Sequence, residues 1–465
     1  MDGEARINPF LSGNFAPVRS EDDFDLVVEG TLPAGLNGTL YRNGPNPQFD
    51  PRDANYHWFV GDGMLHAFTV ADGKVSYRNR WVRTNKWTLE NAAGQALFGS
   101  WGNPMTSDPS VLGVVSDGVA NTNIIQHGGH LLALEEAHAP FEMSGPDLAT
   151  IGAYDLGGKV TAHPKTCPIT GELVFFAYAD DPTPLSNKIS WGVADAAGRL
   201  LKRETFEAPY CSMIHDFIVT EHHVVIPVLP LTGSLRRAMD GKPVFAWEPD
   251  KGGHLAVIPR DAGVAGLRWI EVPAAYVFHV MNAFERAKGG GVAIIADVMR
   301  YAAAPLFPNA DGTKGENAAA YLTRWTIDLA AGTVTEAELD DTAGEFPRFD
   351  ERFAGQTYRH GWFVGQSLKP GDFRSNIVAH VDLVDGTRKT WTVPTGDAIS
   401  EAVFTHAGPD AAEGQGWLTA VIYRAAEGVS EFVVFDAQAV ERGPIASAKL
   451  PRRVPFGFHG QWISR

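Results

Sequence analysis

Long apolar runs are missing from this chain of 465 residues. No stretch of about 18 or more apolar residues occurs, which excludes a membrane-spanning helix. Cysteine is scarce. Cys167 and Cys211 are the only two, and neither stands in a short metal-binding spacing. A disulfide between them stays open, but reduced thiols in a cytosolic protein are the better fit. Clusters of Lys and Arg are lacking, and the formal net charge is -16. A phosphate-reading surface needs a basic patch, so nucleic acid is excluded as a partner and broad attraction to anionic membranes is disfavoured. The opening Met-Asp-Gly-Glu-Ala-Arg has no apolar signal core, which predicts a cytoplasmic location. Long helical periodicity is rare too: Glu90–Phe98 and 232–240 are the helix candidates. The exact repeats that mark the common propeller signatures are absent.

Against these absences, hydrophobic content is 44% and charged content 20%, enough for a sizeable core. The recurring local pattern is a short β-branched or aromatic run closed by a turn. Leu131–Leu134, Leu173–Ala177, Val224–Val228, Val292–Ala296, Leu418–Tyr423 and Phe432–Phe435 read as strands. Hairpin-type turns stand at 71–73, 196–198, 329–332 and 384–386. The 49 Gly and 30 Pro are spread evenly, with no linker and no composition break, so residues 1–465 read as one domain. Many short strands without βαβ alternation predict an all-β chain, either a β-propeller or a large sandwich.

Four histidines stand in distinctive frames. They are His163 in Thr-Ala-His-Pro-Lys, His215 in Met-Ile-His-Asp-Phe, His279 in Phe-His-Val-Met-Asn-Ala and His459 in Phe-Gly-Phe-His-Gly-Gln-Trp. They are far apart in sequence, unlike any local zinc motif. A fold that brings distant strand ends to one axis could use all four, and imidazole suits iron, zinc, copper and nickel. A single histidine beside a strand is more often a surface or satisfied core group. The remaining histidines, including the pair His222-His223, are read that way, and His66 and His360 as structural.

At these frames the chain resembles the carotenoid cleavage oxygenases, from Glu29-Gly30-Thr31-Leu32-Pro33 to Trp462. Tyr41-Arg42-Asn43-Gly44-Pro45-Asn46-Pro47 and Gly61-Asp62-Gly63-Met64-Leu65-His66-Ala67-Phe68 match the opening blocks of that family. Thr161–Lys165, Val277–Glu285, Glu345-Phe346-Pro347-Arg348 and Phe458-His459-Gly460 follow in its order. The resemblance implies a seven-bladed propeller with a loop and helix cap over a substrate tunnel. It implies one axial Fe(2+) per chain, bound by His163, His215, His279 and His459, with O2 as co-substrate and no organic cofactor. Three glutamates of the family map to Glu136, Glu345 and Glu401. They are expected to orient His215, His279 and His459, because a metal-bound imidazole needs its second nitrogen anchored. The implied reaction adds dioxygen across one C=C and yields two carbonyl products, with all electrons drawn from the alkene; a mono-oxygenase-like outcome through an epoxide is the alternative stoichiometry.

The implied substrate is a small apolar or aromatic alkene in an aromatic tunnel, with Phe59, Trp101, Phe278 and Phe307 as wall candidates beside the key motifs. Stilbene- and phenylpropenoid-cleaving relatives carry a Tyr in a Phe-Gly-x-Tyr-x-Asn-Pro block and a Lys before the first of the three glutamates. Together these grip a 4-hydroxyl. Here the positions are Trp101 and Glu135. A phenolate near an ionised Glu135 would be repelled, which favours an apocarotenoid-like polyene or an aryl-alkene held by stacking over a phenol-reading site. Phenylpropenoid or stilbene cleavage is the alternative. An isomerohydrolase, a non-catalytic propeller scaffold and a calcium- or magnesium-dependent hydrolase are weaker readings. The segment from Val228 to Trp247 mixes apolar residues with Arg236, Arg237 and Lys242, a composition suited to peripheral membrane contact at a tunnel mouth.

Overall fold

The computed structural model describes residues 8–53, 56–99, 106–366 and 374–465. Seven antiparallel sheets of four to six strands form the blades of a β-propeller, accompanied by a two-stranded ribbon, Leu231–Gly233 with Phe245–Trp247. The expected seven-bladed architecture is therefore the observed one. The second blade runs Asn123–His127, His130–Leu134, Phe141–Met143, Thr150–Ala153. The third starts with Lys165–Thr166, the fourth with Ile218–Val219, the fifth with Tyr276–Lys288 and the sixth with Gly344–Phe349. Successive strands then follow outward in chain order, because short turns permit only neighbouring antiparallel pairs.

Two exchanges close the ring. The C-terminal strand Gly460–Ser464 pairs with Gly38–Pro45 at one edge of the first blade. The N-terminal strand Val28–Gly30 pairs with Ala446–Lys449 at the far edge of the seventh. Each chain end thus completes the blade built by the other, and the ladder hydrogen bonds hold the circle shut. Side chains at this seam reinforce it: Phe68 of the first blade stacks on Phe432 of the seventh, with ring centroids 5.2 Å apart and planes at 16°.

Burial explains the sequence pattern. Middle strands are sandwiched between neighbouring blades, so Leu173–Tyr178 and Lys188–Ala194 are buried almost throughout. Such strands read as continuous apolar runs. Outer strands such as Leu200–Glu207 and Thr333–Glu338 face solvent and are polar. Trp191, Trp325 and Trp362 fill the interfaces between blades.

Helix is confined to the loops. The expected helix at Glu90–Phe98 lies instead at Asn85–Ala93. Thr84 caps it by accepting from Trp87 N, and Gly94, at φ 68°, ends it in the left-handed conformation that glycine adopts without strain. The second helix, Leu235–Met239, lies inside the expected 232–240.

Phe432→Ala removes the stacking partner of Phe68 at the closing seam. We expect a loss of about 3–5 kcal/mol, read by denaturant titration. Val384→Ala, at a side chain 67% exposed, should stay within about 0.5 kcal/mol of the parent.

Candidate metal centre

The four histidines sit on or just before strands that form one edge of their sheets. His163 precedes Lys165–Thr166, His215 precedes Ile218–Val219, His279 lies within Tyr276–Lys288 and His459 precedes Gly460–Ser464. Their Nε2 atoms converge. His163 lies 3.0 Å from His215, His215 lies 3.1 Å from His279, and His279 lies 3.0 Å from His459. All four ligand nitrogens fall within 4.8 Å of one another.

Carboxylates stand behind three of the rings. Glu136 meets His215 Nδ1, and Glu345 meets His279 Nδ1. Glu401 Oε1 lies 3.0 Å from His459 Nδ1. No carboxylate pairs with His163 among the described residues. Glu136 follows the strand His130–Leu134 of the second blade, Glu345 begins the sixth and Glu401 lies on the axial edge of the seventh. Every blade therefore contributes one of these seven residues.

Local irregularities aim them. The strand bearing His279 shifts register between Val277 and Val280 and again before Asn282. The strand bearing Glu345 shifts between Glu345 and Arg348, and Phe346 there has a φ of 56°. Such bulges turn a side chain out of the strict inward–outward alternation.

The donor set fits a metal cation. A carboxylate on Nδ1 fixes the proton there and leaves Nε2 as a lone pair. Three buried lone pairs about 3 Å apart repel unless a cation lies between them. With metal–nitrogen bonds of about 2.1 Å, right-angled ligands stand roughly 3.0 Å apart and tetrahedral ones roughly 3.4 Å. The observed edges match right angles, which leave coordination positions open. Burial and the neighbouring rings hold His163 well below the ordinary imidazole range, and burial brings His459 to about 4 despite Glu401. Burial also opposes charge on His215, but Glu136 reverses that and raises it. Burial would raise Glu401; Arg348 and His459 instead bring it down to about 2. Glu401 thus stays ionised behind a neutral His459.

Several supporting residues escaped the sequence reading. Asp216 accepts from Lys165 Nζ at 2.7 Å, from Phe217 N at 2.7 Å and from Val280 N at 2.8 Å, tying three ligand-bearing blades together. Tyr178 donates to the second oxygen of Glu136 at 2.8 Å. Arg348 meets Glu401 Oε1 at 3.3 Å and donates to Gly460 O. Asp216, Lys165 and Arg348 all stand inside the quoted frames, which was the available signal; nothing local marks Tyr178.

A cavity of about 880 Å³ opens onto three of the four rings, those of His215, His279 and His459. Phe59, Phe278, Phe307 and Glu135 line it, together with Trp58, Tyr301, Phe346, Phe456 and Phe458. Trp101 lies outside the described residues. The loops 106–119 and 302–319 and the helix Asn85–Ala93 contribute further wall residues. Glu135 does not present a bare carboxylate here. One oxygen meets His138 Nδ1, and the other accepts from Val119 N at 2.8 Å and Ala120 N at 3.2 Å. The repulsion of a phenolate expected from sequence is thereby cancelled by a neighbouring imidazole. Among the other histidines, His66 Nδ1 lies 2.8 Å from the Tyr77 hydroxyl, as a structural group should. His223 is not solvated; its Nδ1 lies 2.9 Å from Glu285.

Comparison with known proteins places this geometry. The family model described as Retinal pigment epithelial membrane protein matches residues 15–464. An isoeugenol monooxygenase of Pseudomonas nitroreducens is 38% identical, over 99% of this chain and 100% of the relative. The structure of Pseudomonas brassicacearum lignostilbene dioxygenase superposes with a TM-score of 0.93 at 34% identity, covering 99% of each chain. A cobalt-substituted Synechocystis apocarotenoid oxygenase gives a TM-score of 0.83 at 31% identity, covering 97% of each chain.

Metal analysis tests the centre directly. The purified chain should carry close to one divalent first-row metal. Ala at His163, His215, His279 or His459 should remove most of it with the circular dichroism spectrum retained. Glu136→Gln, Glu345→Gln and Glu401→Gln should each weaken metal affinity roughly 10–100-fold.

Proposed function

This chain belongs to the Retinal pigment epithelial membrane protein family, the carotenoid cleavage oxygenases, and on that premise we propose that it cleaves the C=C bond of an aryl-alkene with dioxygen. The observation that carries the substrate class is full-length similarity. Identity is 38% with an isoeugenol monooxygenase, and the backbone superposes at a TM-score of 0.93 on a lignostilbene dioxygenase against 0.83 on an apocarotenoid oxygenase. A second reading, cleavage of an apocarotenoid-like polyene, is supported by the aromatic side chains in the cavity wall, Phe59, Phe278, Phe307 and Phe458 among them.

His163, His215, His279 and His459 are the residues that would hold one Fe(2+) per chain. Bound there, iron would supply the activation of dioxygen that its spin state otherwise denies to an alkene. Four neutral imidazoles leave the full metal charge in place, unlike a site with a carboxylate ligand. Glu136, Glu345 and Glu401 keep three of the rings in one tautomer and one orientation. Phe59, Phe278 and Phe307 would hold the aromatic alkene by stacking and keep water from the reacting carbons. The balance is simple: one alkene and one O2 become two carbonyls, with no external reductant.

The composition and the ring closure support a single domain over 1–465, for which the cytoplasm is the proposed location. No described helix is long and apolar enough to cross a membrane. Leu235, 47% exposed, and Met239, 80% exposed, sit on the helix Leu235–Met239 beside Arg236. This helix would touch a membrane surface if the substrate were lipid-borne.

The test is turnover under 18O-labelled dioxygen with a panel of propenylphenols, stilbenes and apocarotenoids. We expect propenylphenols or stilbenes to give two carbonyl fragments, at least one labelled, without 2-oxoglutarate or NADH. Cleavage of apocarotenoids alone would replace the aryl-alkene reading by the polyene one. Dependence on either reductant would contradict the four-histidine design.

A further inference from the structure

The cavity contains one polar device that alkene cleavage itself does not use. Glu135 and Glu136 are consecutive, in the bend that follows the strand His130–Leu134, and their side chains go to different partners. Glu136 goes to His215, whereas Glu135 goes to His138 and the backbone of 119–120. Both line the same cavity, as does His138. Glu135 is only 8% exposed and accepts from three groups, so its position is fixed. His138 spends Nδ1 on Glu135, while Nε2 has no protein partner among the described residues and the ring remains 37% exposed. Gly118 makes room for the pair. A Cβ there would fall 2.2 Å from Glu135 Oε1 and 2.5 Å from His138 Nδ1.

We propose that His138, anchored by Glu135, hydrogen-bonds the 4-oxygen of a hydroxylated aryl-alkene and makes this site prefer phenols over their ethers. The inference rests on the aryl-alkene reading for its ligand class. Burial disfavours a charged His138, and Lys159 opposes it, yet the Glu135 carboxylate raises its pKa above the ordinary value. With Nδ1 engaged and the ring in the cavity wall, the Nε2–H is the group left to act as a charge-assisted donor. A phenol oxygen accepts that bond, and a phenolate gains an ion pair as well. A methyl ether cannot ionise and brings an extra carbon against the ring. The other cations of the wall are less suited. Lys86 is held at 2.7 Å by both Asp62 and Glu90, Arg42 is buried and donates to Pro455 O, and Lys314 lies on an exposed loop.

The experiment is anaerobic calorimetric binding to the iron-loaded full chain, using 4-propenylphenol and its 4-methyl ether. The parent should bind the phenol about 10–100-fold tighter, the range expected when only the phenol can ionise and pair with the imidazolium. His138→Ala should bring the ratio near one. Glu135→Gln, which keeps the side-chain shape but not the charge, should lower it about 10-fold, and it serves if His138→Ala fails to fold. Equal binding of the two compounds by the parent, or an undiminished ratio in either folded variant, would overturn the proposal. Aerobic turnover of the same two compounds separates this inference from the function. Binding preference that depends on His138 without cleavage would sink only the aryl-alkene reaction. Cleavage with a preference independent of His138 would sink only the role given to His138.

Discussion

Three carboxylates committed to Nδ1 force three imidazole Nε2 lone pairs to face one another inside a buried core, and a fourth imidazole joins them. Without a cation, lone pairs about 3 Å apart in a low-dielectric site are destabilising. The arrangement is stable only as a receptacle for positive charge. Much of the chain serves to hold that frustrated cluster in place. Seven blades each supply one residue to it, and the ring they form is shut by the exchange of N- and C-terminal strands. His459 directly precedes the closing strand Gly460–Ser464, so closure of the ring and completion of the metal centre are one event.

This coupling explains why polar residues crowd the axis of an otherwise apolar core. Asp216 links Lys165, Phe217 and Val280 and so locks the third, fourth and fifth blades beside the histidines they carry. Arg348 joins Glu401 to Gly460 O across the sixth, seventh and first. Buried polar groups that are satisfied rigidify their surroundings. A metal centre made of distant residues needs such rigidity, because its ligands have no short chain segment to keep them in register.

The four converging histidines were legible in the sequence because each stands inside a short, dense frame, and the strands were legible because middle blade strands are buried on both faces. What was hidden depends on contacts across the fold. The bulges at His279 and Glu345 arise from pairing register, which no local run of residues reveals. Tyr178 reaches Glu136 across 42 positions of sequence. The helix Asn85–Ala93 was displaced in the sequence reading because Thr84 and Gly94, its true caps, were overlooked. Glu135 is the instructive case. Its charge was read alone, and its meaning reversed once His138, three residues on, was seen to turn back upon it.

The central claim is that the four histidines bind one metal ion and that no carboxylate does. Crystals grown with Fe(2+) under nitrogen and measured at the iron edge test it most directly. The account predicts a single anomalous peak about 2.1 Å from each of the four Nε2 atoms, with Glu136, Glu345 and Glu401 remaining on the far side of their imidazoles. A peak elsewhere in the molecule, or one ligated by any of those carboxylates in place of a histidine, would contradict it.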